Sequence, residues 1–245
     1  MCGRYTLTAG PDTLARTFKA GLSDEYRKSW KPRYNIPPGS GITAIIEDRN
    51  RGGRWVEILH WGLVPAWATD PKIGYKLINA RAETLSEKPS FRDAFRYRRC
   101  LLPASGFYEW DREVSPRQPY YFFPEKGELM ALAGVWEHWL HASGSEILSV
   151  SIVTTEARGP VERIHDRMPV ILRERDWARW LDPNNVKAAE LKTLLVPARE
   201  DFLKVRRVAQ RVNKTTWDEP ALIEEAAGGA RAPSQLDLFS EEDLL

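Results

Sequence analysis

The sequence predicts an α+β fold in which a strongly curved, mostly antiparallel sheet or barrel is surrounded by peripheral helices. Two features of the chain lead there. Strand-like segments follow one another closely, and the helical segments lie scattered outside them. The 245 residues, 42% hydrophobic and 29% charged, are ample to bury a core and exclude a disordered chain. No apolar run approaches the ~20 residues of a membrane span.

Taken in order, Asp12–Lys19 reads as a helix introduced by Pro11. Ile42–Glu47 and Trp55–His60 read as strands, rich in β-branched or aromatic residues and bounded by Gly, Pro or charged turns. Phe91–Tyr97 follows a Pro-Ser start and reads as a helix. Pro119–Phe123, Leu129–Trp136 and Glu146–Thr154 are three further strands. Glu174–Leu181 and Val186–Val196 then set Trp177, Trp180, Leu181, Leu191 and Leu195 at helical spacing. After them, Ala226–Ser234 has the composition of a flexible tether. The chain therefore divides into one domain, residues 1–222, and a tail, 223–245.

Charge divides in the same place. From Glu219 onward there are seven acidic residues and one base, Arg231, which leaves a basic body of net +8 over residues 1–218. A basic body suits a nucleic-acid partner without requiring one. The N-terminus has no signal-peptide pattern, and Cys2 and Cys100 cannot build a disulfide framework or a thiolate zinc site. Together these point to a cytoplasmic protein with no metal or cofactor, expected to work as a monomer.

Several short motifs could carry chemistry. Cys2 becomes the N-terminal residue when an aminopeptidase removes Met1. It then offers an amine with a pKa of about 7.7–8.0 beside a thiol of about 8.5. An amine attacks an aldehyde to give an imine, and the neighbouring thiolate can close a thiazolidine on it. Asn79 and Arg81, in Asn79–Thr84, combine a planar donor and acceptor with a fork suited to phosphate. Glu109, in Gly106–Trp110, sits among aromatic residues that would raise its pKa towards that of a general acid or base. His165 is flanked by Asp166 and Arg167 and is suited to moving protons. Arg92, Arg96, Arg98 and Arg99 form a basic run suited to a phosphate backbone. Each motif also has an ordinary reading, as a turn Asn, a surface Arg, a paired Glu or a structural His.

The ordered set resembles the SRAP (SOS response-associated peptidase) family of abasic-site processing proteins. The motifs are Met1–Arg4, Tyr34–Gly39, Trp61–Pro65, Ile78–Thr84, Arg99-Cys100, Gly106–Trp110 and Ile164–Pro169. The resemblance implies a single SRAP-like domain that senses abasic sites in single-stranded DNA. It also implies a covalent crosslink through Cys2 that shields the lesion. It makes Asn79 the residue that holds Cys2 and the sugar, Glu109 the activator of the amine with a part in reversal, and His165 the proton carrier. Arg4, Arg81, Lys88 and Arg167 fall at expected phosphate contacts, and Trp67 and Pro38 where neighbouring bases are stacked or separated. Autoproteolysis, implied by the family's name, reduces here to the loss of Met1.

Two alternatives differ in class. A class II glutamine amidotransferase also begins Met-Cys-Gly, but it needs an Asn-Gly element that this chain lacks. A non-catalytic DNA-binding module would bind without a covalent adduct. In the tail, Gln235, Leu236, Asp237, Leu238 and Phe239 resemble the pentapeptide by which bacterial repair proteins dock on the DNA sliding clamp.

Overall fold

The computed structural model describes residues 2–127, 129–141 and 143–226. Along the chain the strands are β1 (Tyr5–Leu7), β2 (Ala20–Gly21), β3 (Arg33–Ile36), β4 (Gly41–Glu47), β5 (Arg54–Trp61), β6 (Asn79–Arg81) and β7 (Arg99–Ala104). They continue with β8 (Gly106–Asp111), β9 (Gln118–Pro124), β10 (Met130–Leu140), β11 (Glu146–Glu156), β12 (Arg167–Pro169) and β13 (Leu203–Arg207). The α-helices are α1 (Pro11–Phe18), α2 (Asp24–Ser29), α3 (Arg92–Tyr97), α4 (Glu174–Leu181) and α5 (Ala188–Lys192).

Strands β11, β10, β7, β4 and β5 pair in that order. A parallel pairing, Ser149 with His60 and Val150 with Trp61, joins β5 back to β11. The five strands thus close into a barrel that is antiparallel except at this seam, and β2, β6 and β12 attach to its strands. Closure leaves those five strands without a free edge. A second sheet, in the order β13-β9-β8-β1-β3, is antiparallel throughout.

Helix α4 closes part of the barrel because its aromatic stripe faces inward. Trp177 stacks on Phe18 at 4.8 Å, and Trp180 Nε1 donates to the Cys100 carbonyl at 2.9 Å. Arg99 is held here as well, which corrects the phosphate-binding expectation for the basic run. Its guanidinium donates to the carbonyls of Phe95, Arg96, Trp180, Asp182 and Asn185. Burial pushes its pKa down to about 10. Arg98 pairs with Glu137 at 2.6 Å, which leaves Arg92 and Arg96 exposed on α3.

All five expected strands and the first three of the four expected helices form, the latter as α1, α3 and α4, with ends shifted by at most a few residues. The helix expected over Val186–Val196 spans only Ala188–Lys192. Past it, Leu194 and Leu195 donate to the carbonyls three residues back, in a tighter turn that still buries both side chains ahead of Pro197. The ordered contacts run beyond residue 222, since the Ala226 N–H donates to the Arg207 carbonyl at 3.0 Å. The clamp-like pentapeptide, residues 235–239, lies outside the described residues.

Candidate active site

Cys2 lies fully buried just ahead of β1. Tyr5 sits opposite Phe107 on β8 and Thr6 opposite Gly106, and the Tyr108 N–H donates to the Arg4 carbonyl at 3.0 Å. Continued one step, this antiparallel register sets Gly3 opposite Glu109, so the chain reaches Cys2 beside that carboxylate. The electrostatics agree. Burial first, and Glu109 second, push the Cys2 thiol pKa up. The pairing depends on a glycine at 106, where a Cβ would lie 2.2 Å from the Tyr121 ring.

Asn79 approaches Cys2 from the other sheet. It opens β6, which runs parallel to β11 with Asn79 opposite Ile152. Its Nδ2 donates to the Cys2 carbonyl at 2.9 Å, while its Oδ1 is buried with no hydrogen-bond partner among the described residues. The segment leading to Asn79 is clamped where two glycines meet. A Cβ on Gly74 would lie 2.6 Å from the Gly62 carbonyl oxygen, and Gly62 adopts a φ of +137°. Trp61 Nε1 donates to the Ile78 carbonyl at 2.9 Å and fixes the approach to β6.

Glu109 on β8 and His165, just before β12, complete the group. Glu109 Oε2 is 4.0 Å from His165 Nε2, and both side chains are almost sealed from solvent. Burial raises the Glu109 pKa to about 7, against the nearby Arg112 cation, and lowers that of His165 to about 4. Near neutral pH, Glu109 can therefore take or give a proton and His165 is uncharged. The Arg167 backbone nitrogen lies 2.9 Å from His165 Nδ1, and the Asp166 carboxylate lies 3.0 Å from the same ring nitrogen.

The residues expected to touch DNA have different environments. Arg81 and Lys88 are exposed, and Trp67 is 57% exposed with its Nε1 3.4 Å from the Pro89 carbonyl beside Lys88. Pro38 is half-buried in the turn between β3 and β4, where the Gly39 N–H donates to the Trp61 carbonyl at 2.8 Å. Arg4 donates to Asn35 Oδ1 at 2.6 Å and to the Val212 carbonyl at 2.9 Å, with its guanidinium over the Trp110 ring. Arg167 is buried, makes a two-pronged pair with Glu83 at 2.8 and 2.9 Å, and donates to the Thr154 carbonyl at 2.7 Å. Two members of this neighbourhood had not been singled out from the sequence. Glu83 holds Arg167, and Arg112 places Nη2 2.6 Å from His165 Nε2. Spacing offers no signal for either, because both partners are distant in the chain. Among the described residues, no group of three or more His, Cys, Asp or Glu side chains is placed to hold a metal ion.

Residues 1–215 match the model of the SOS response associated peptidase (SRAP) family. The chain belongs to the SRAP family. Among its relatives, the abasic site processing protein YoqW of Bacillus subtilis (strain 168) is 41% identical over 229 residues, covering 91% of this chain and 99% of that protein. The abasic site processing protein HMCES of Xenopus tropicalis is 31% identical over 236 residues, covering 80% of this chain and 70% of that one. The crystal structure of a protein from Bacteroides thetaiotaomicron superposes with a TM-score of 0.82 at 26% identity, covering 92% of this SRAP chain and 100% of that one.

Proposed function

We propose that this SRAP protein processes abasic sites in single-stranded DNA by crosslinking itself to them through Cys2 once Met1 has been removed. The freed amine attacks the C1′ aldehyde of the open sugar, and the carbinolamine loses one water to give an imine. The Cys2 thiol proton then passes to the imine nitrogen as Sγ adds to the imine carbon, closing a thiazolidine. The amine acts first, because sulfur has no imine carbon to add to until the amine has reacted, and burial keeps the thiol protonated meanwhile. The carboxylate of Glu109 accepts the amine proton and its acid form returns one to the departing oxygen, a role suited to a pKa of about 7. Neutral His165 carries protons to and from the sugar as its ring opens. Asn79 holds the backbone of Cys2 through its carbonyl.

The observation that supports this reading most is the convergence on Cys2 of Asn79, from one sheet, and Glu109, from the other. Exposed Arg81 and Lys88 provide charge for phosphates, and exposed Trp67 provides a face for a base. The clamp-like pentapeptide Gln235–Phe239 adds docking on the sliding clamp, which would raise the protein's concentration at replication forks in the nucleoid. Among the described residues no helix is long and apolar enough to cross a membrane.

A denaturing gel after incubation with single-stranded DNA bearing one abasic site tests the reading. It predicts a band that survives denaturation. DNA retained only in a native gel would instead favour a binding module, and ammonia released from glutamine would favour an amidotransferase.

A further inference from the structure

Arg112 follows β8 by one residue, is exposed, and reaches back to His165 with Nη2 2.6 Å from Nε2. A guanidinium only donates, so in this contact Nε2 must accept and the single proton of the neutral ring must sit on Nδ1. The Asp166 carboxylate, 3.0 Å from Nδ1, suits that arrangement. The Arg167 N–H, 2.9 Å from the same Nδ1, suits the opposite one, with Nδ1 bare and the proton on Nε2 facing Glu109. The named contacts of His165 thus favour opposite tautomers, and the Arg112 contact is the one that requires Nε2 to accept.

We propose that Arg112 is a positioning residue that holds His165 as the Nδ1–H tautomer in the resting protein and is drawn away by a DNA phosphate, which leaves the Nε2–H tautomer. The proposal rests on the reading of DNA as substrate. The exchange has a physical cause. An exposed guanidinium gains a charge-assisted, two-pronged partner in a phosphate, whereas a neutral imidazole offers it one lone pair. On release, a proton leaves Nδ1 for solvent and one from solvent joins Nε2, so the ring stays neutral. Nδ1 then accepts from the Arg167 N–H. That backbone is anchored, because the Arg167 side chain is fixed to Glu83 and to the Thr154 carbonyl. The new Nε2–H points toward Glu109, in position to serve as a donor.

Ring nitrogen shifts of His165 in ¹⁵N-labelled protein at pH 7.5 report the tautomer directly, assigned by comparison with His165→Gln. The free wild-type protein should show a protonated Nδ1. Arg112→Met should show a protonated Nε2 without any DNA, and Arg112→Lys should resemble wild type. Adding undamaged single-stranded DNA should move wild type to the Nε2–H pattern and leave Arg112→Met unchanged. The DNA carries no abasic site, so this readout is independent of crosslinking. Thermal melting of each variant confirms folding, which an exposed side chain outside the strand should not disturb. Identical tautomers in wild type and Arg112→Met would overturn the assignment. A wild-type ring still protonated on Nδ1 at saturating DNA would overturn the release.

Discussion

Glu109 and His165 face each other across 4.0 Å with both side chains almost sealed from solvent, and burial moves their pKa values in opposite directions. The carboxyl rises from 4.5 to about 7 and the imidazole falls from 6.5 to about 4. Between pH 4.5 and 6.5 the folded pair is an uncharged acid beside an uncharged base. The unfolded chain has a carboxylate and an imidazolium in the same range. Both states bind the same number of protons, so the pair adds almost no slope to stability against pH there.

Each single variant should uncover the slope that the other residue hides. In Glu109→Gln, His165 remains with a folded pKa below its unfolded one. Stability should therefore be lost as pH falls from 6.5 towards 4. In His165→Ala, Glu109 remains with a folded pKa above its unfolded one, so stability should be lost as pH rises from 4.5 towards 7. Melting temperature against pH measures both. Curves parallel to wild type in both variants would contradict opposed burial as the main cause.

The same carboxylate should govern the rate. If its ionised form accepts the amine proton, crosslinking in wild type rises with pH through about 7. Glu109→Gln should slow the covalent step by about 10²–10⁴-fold and flatten that rise, with DNA affinity little changed. Single-turnover gels across pH 5.5–8.5 follow both quantities. Normal crosslinking together with collapsed binding would reverse the assigned role.

Arg81 and Arg167 should part company although the sequence offers the same side chain at both. Arg81 is exposed, so Arg81→Ala should weaken DNA binding and lower the salt slope by about one, with an unchanged melting temperature. Arg167 is buried on Glu83, so Arg167→Ala should lower the melting temperature and slow crosslinking through His165. Affinity against salt, paired with melting curves, separates the two. A stable Arg167→Ala protein whose only loss is affinity would make Arg167 a direct phosphate contact.

For the tail, a peptide of residues 231–245 should bind purified clamp in fluorescence polarisation, and the same peptide with Leu238→Ala and Phe239→Ala should not. Equal signals from the two would dismiss the docking motif.

What could be read in advance, and what could not, follows from the range of the forces involved. Segments such as Ile42–Glu47 and Glu174–Leu181 announce themselves because β-branched runs and helical spacing are local. Gly106–Trp110 reads as a carboxylate among aromatics, and its place beside Cys2 depends on the pairing of β8 with β1, about 100 residues away in the chain. The chemical types at Cys2, Asn79, Glu109 and His165 were visible as motifs. Their electrostatics were not, because burial sets them. The basic run shows the same limit most plainly, since Arg99 and Arg92 look alike in sequence while one is wrapped in five carbonyls and the other is exposed. Likewise Glu83, two residues from Arg81, pairs with Arg167, 84 residues away.

In the proposed reaction the amine and thiol of Cys2 together form the bond to DNA. Intact mass of protein incubated with single-stranded DNA bearing one abasic site tests it most directly. The expected species equals the protein without Met1 plus the oligonucleotide minus one water. It should persist after denaturation and be absent with Cys2→Ala. Cys2→Ser should yield only a labile imine that borohydride traps. An adduct of normal stability on Cys2→Ala, or one that retains Met1, would contradict it.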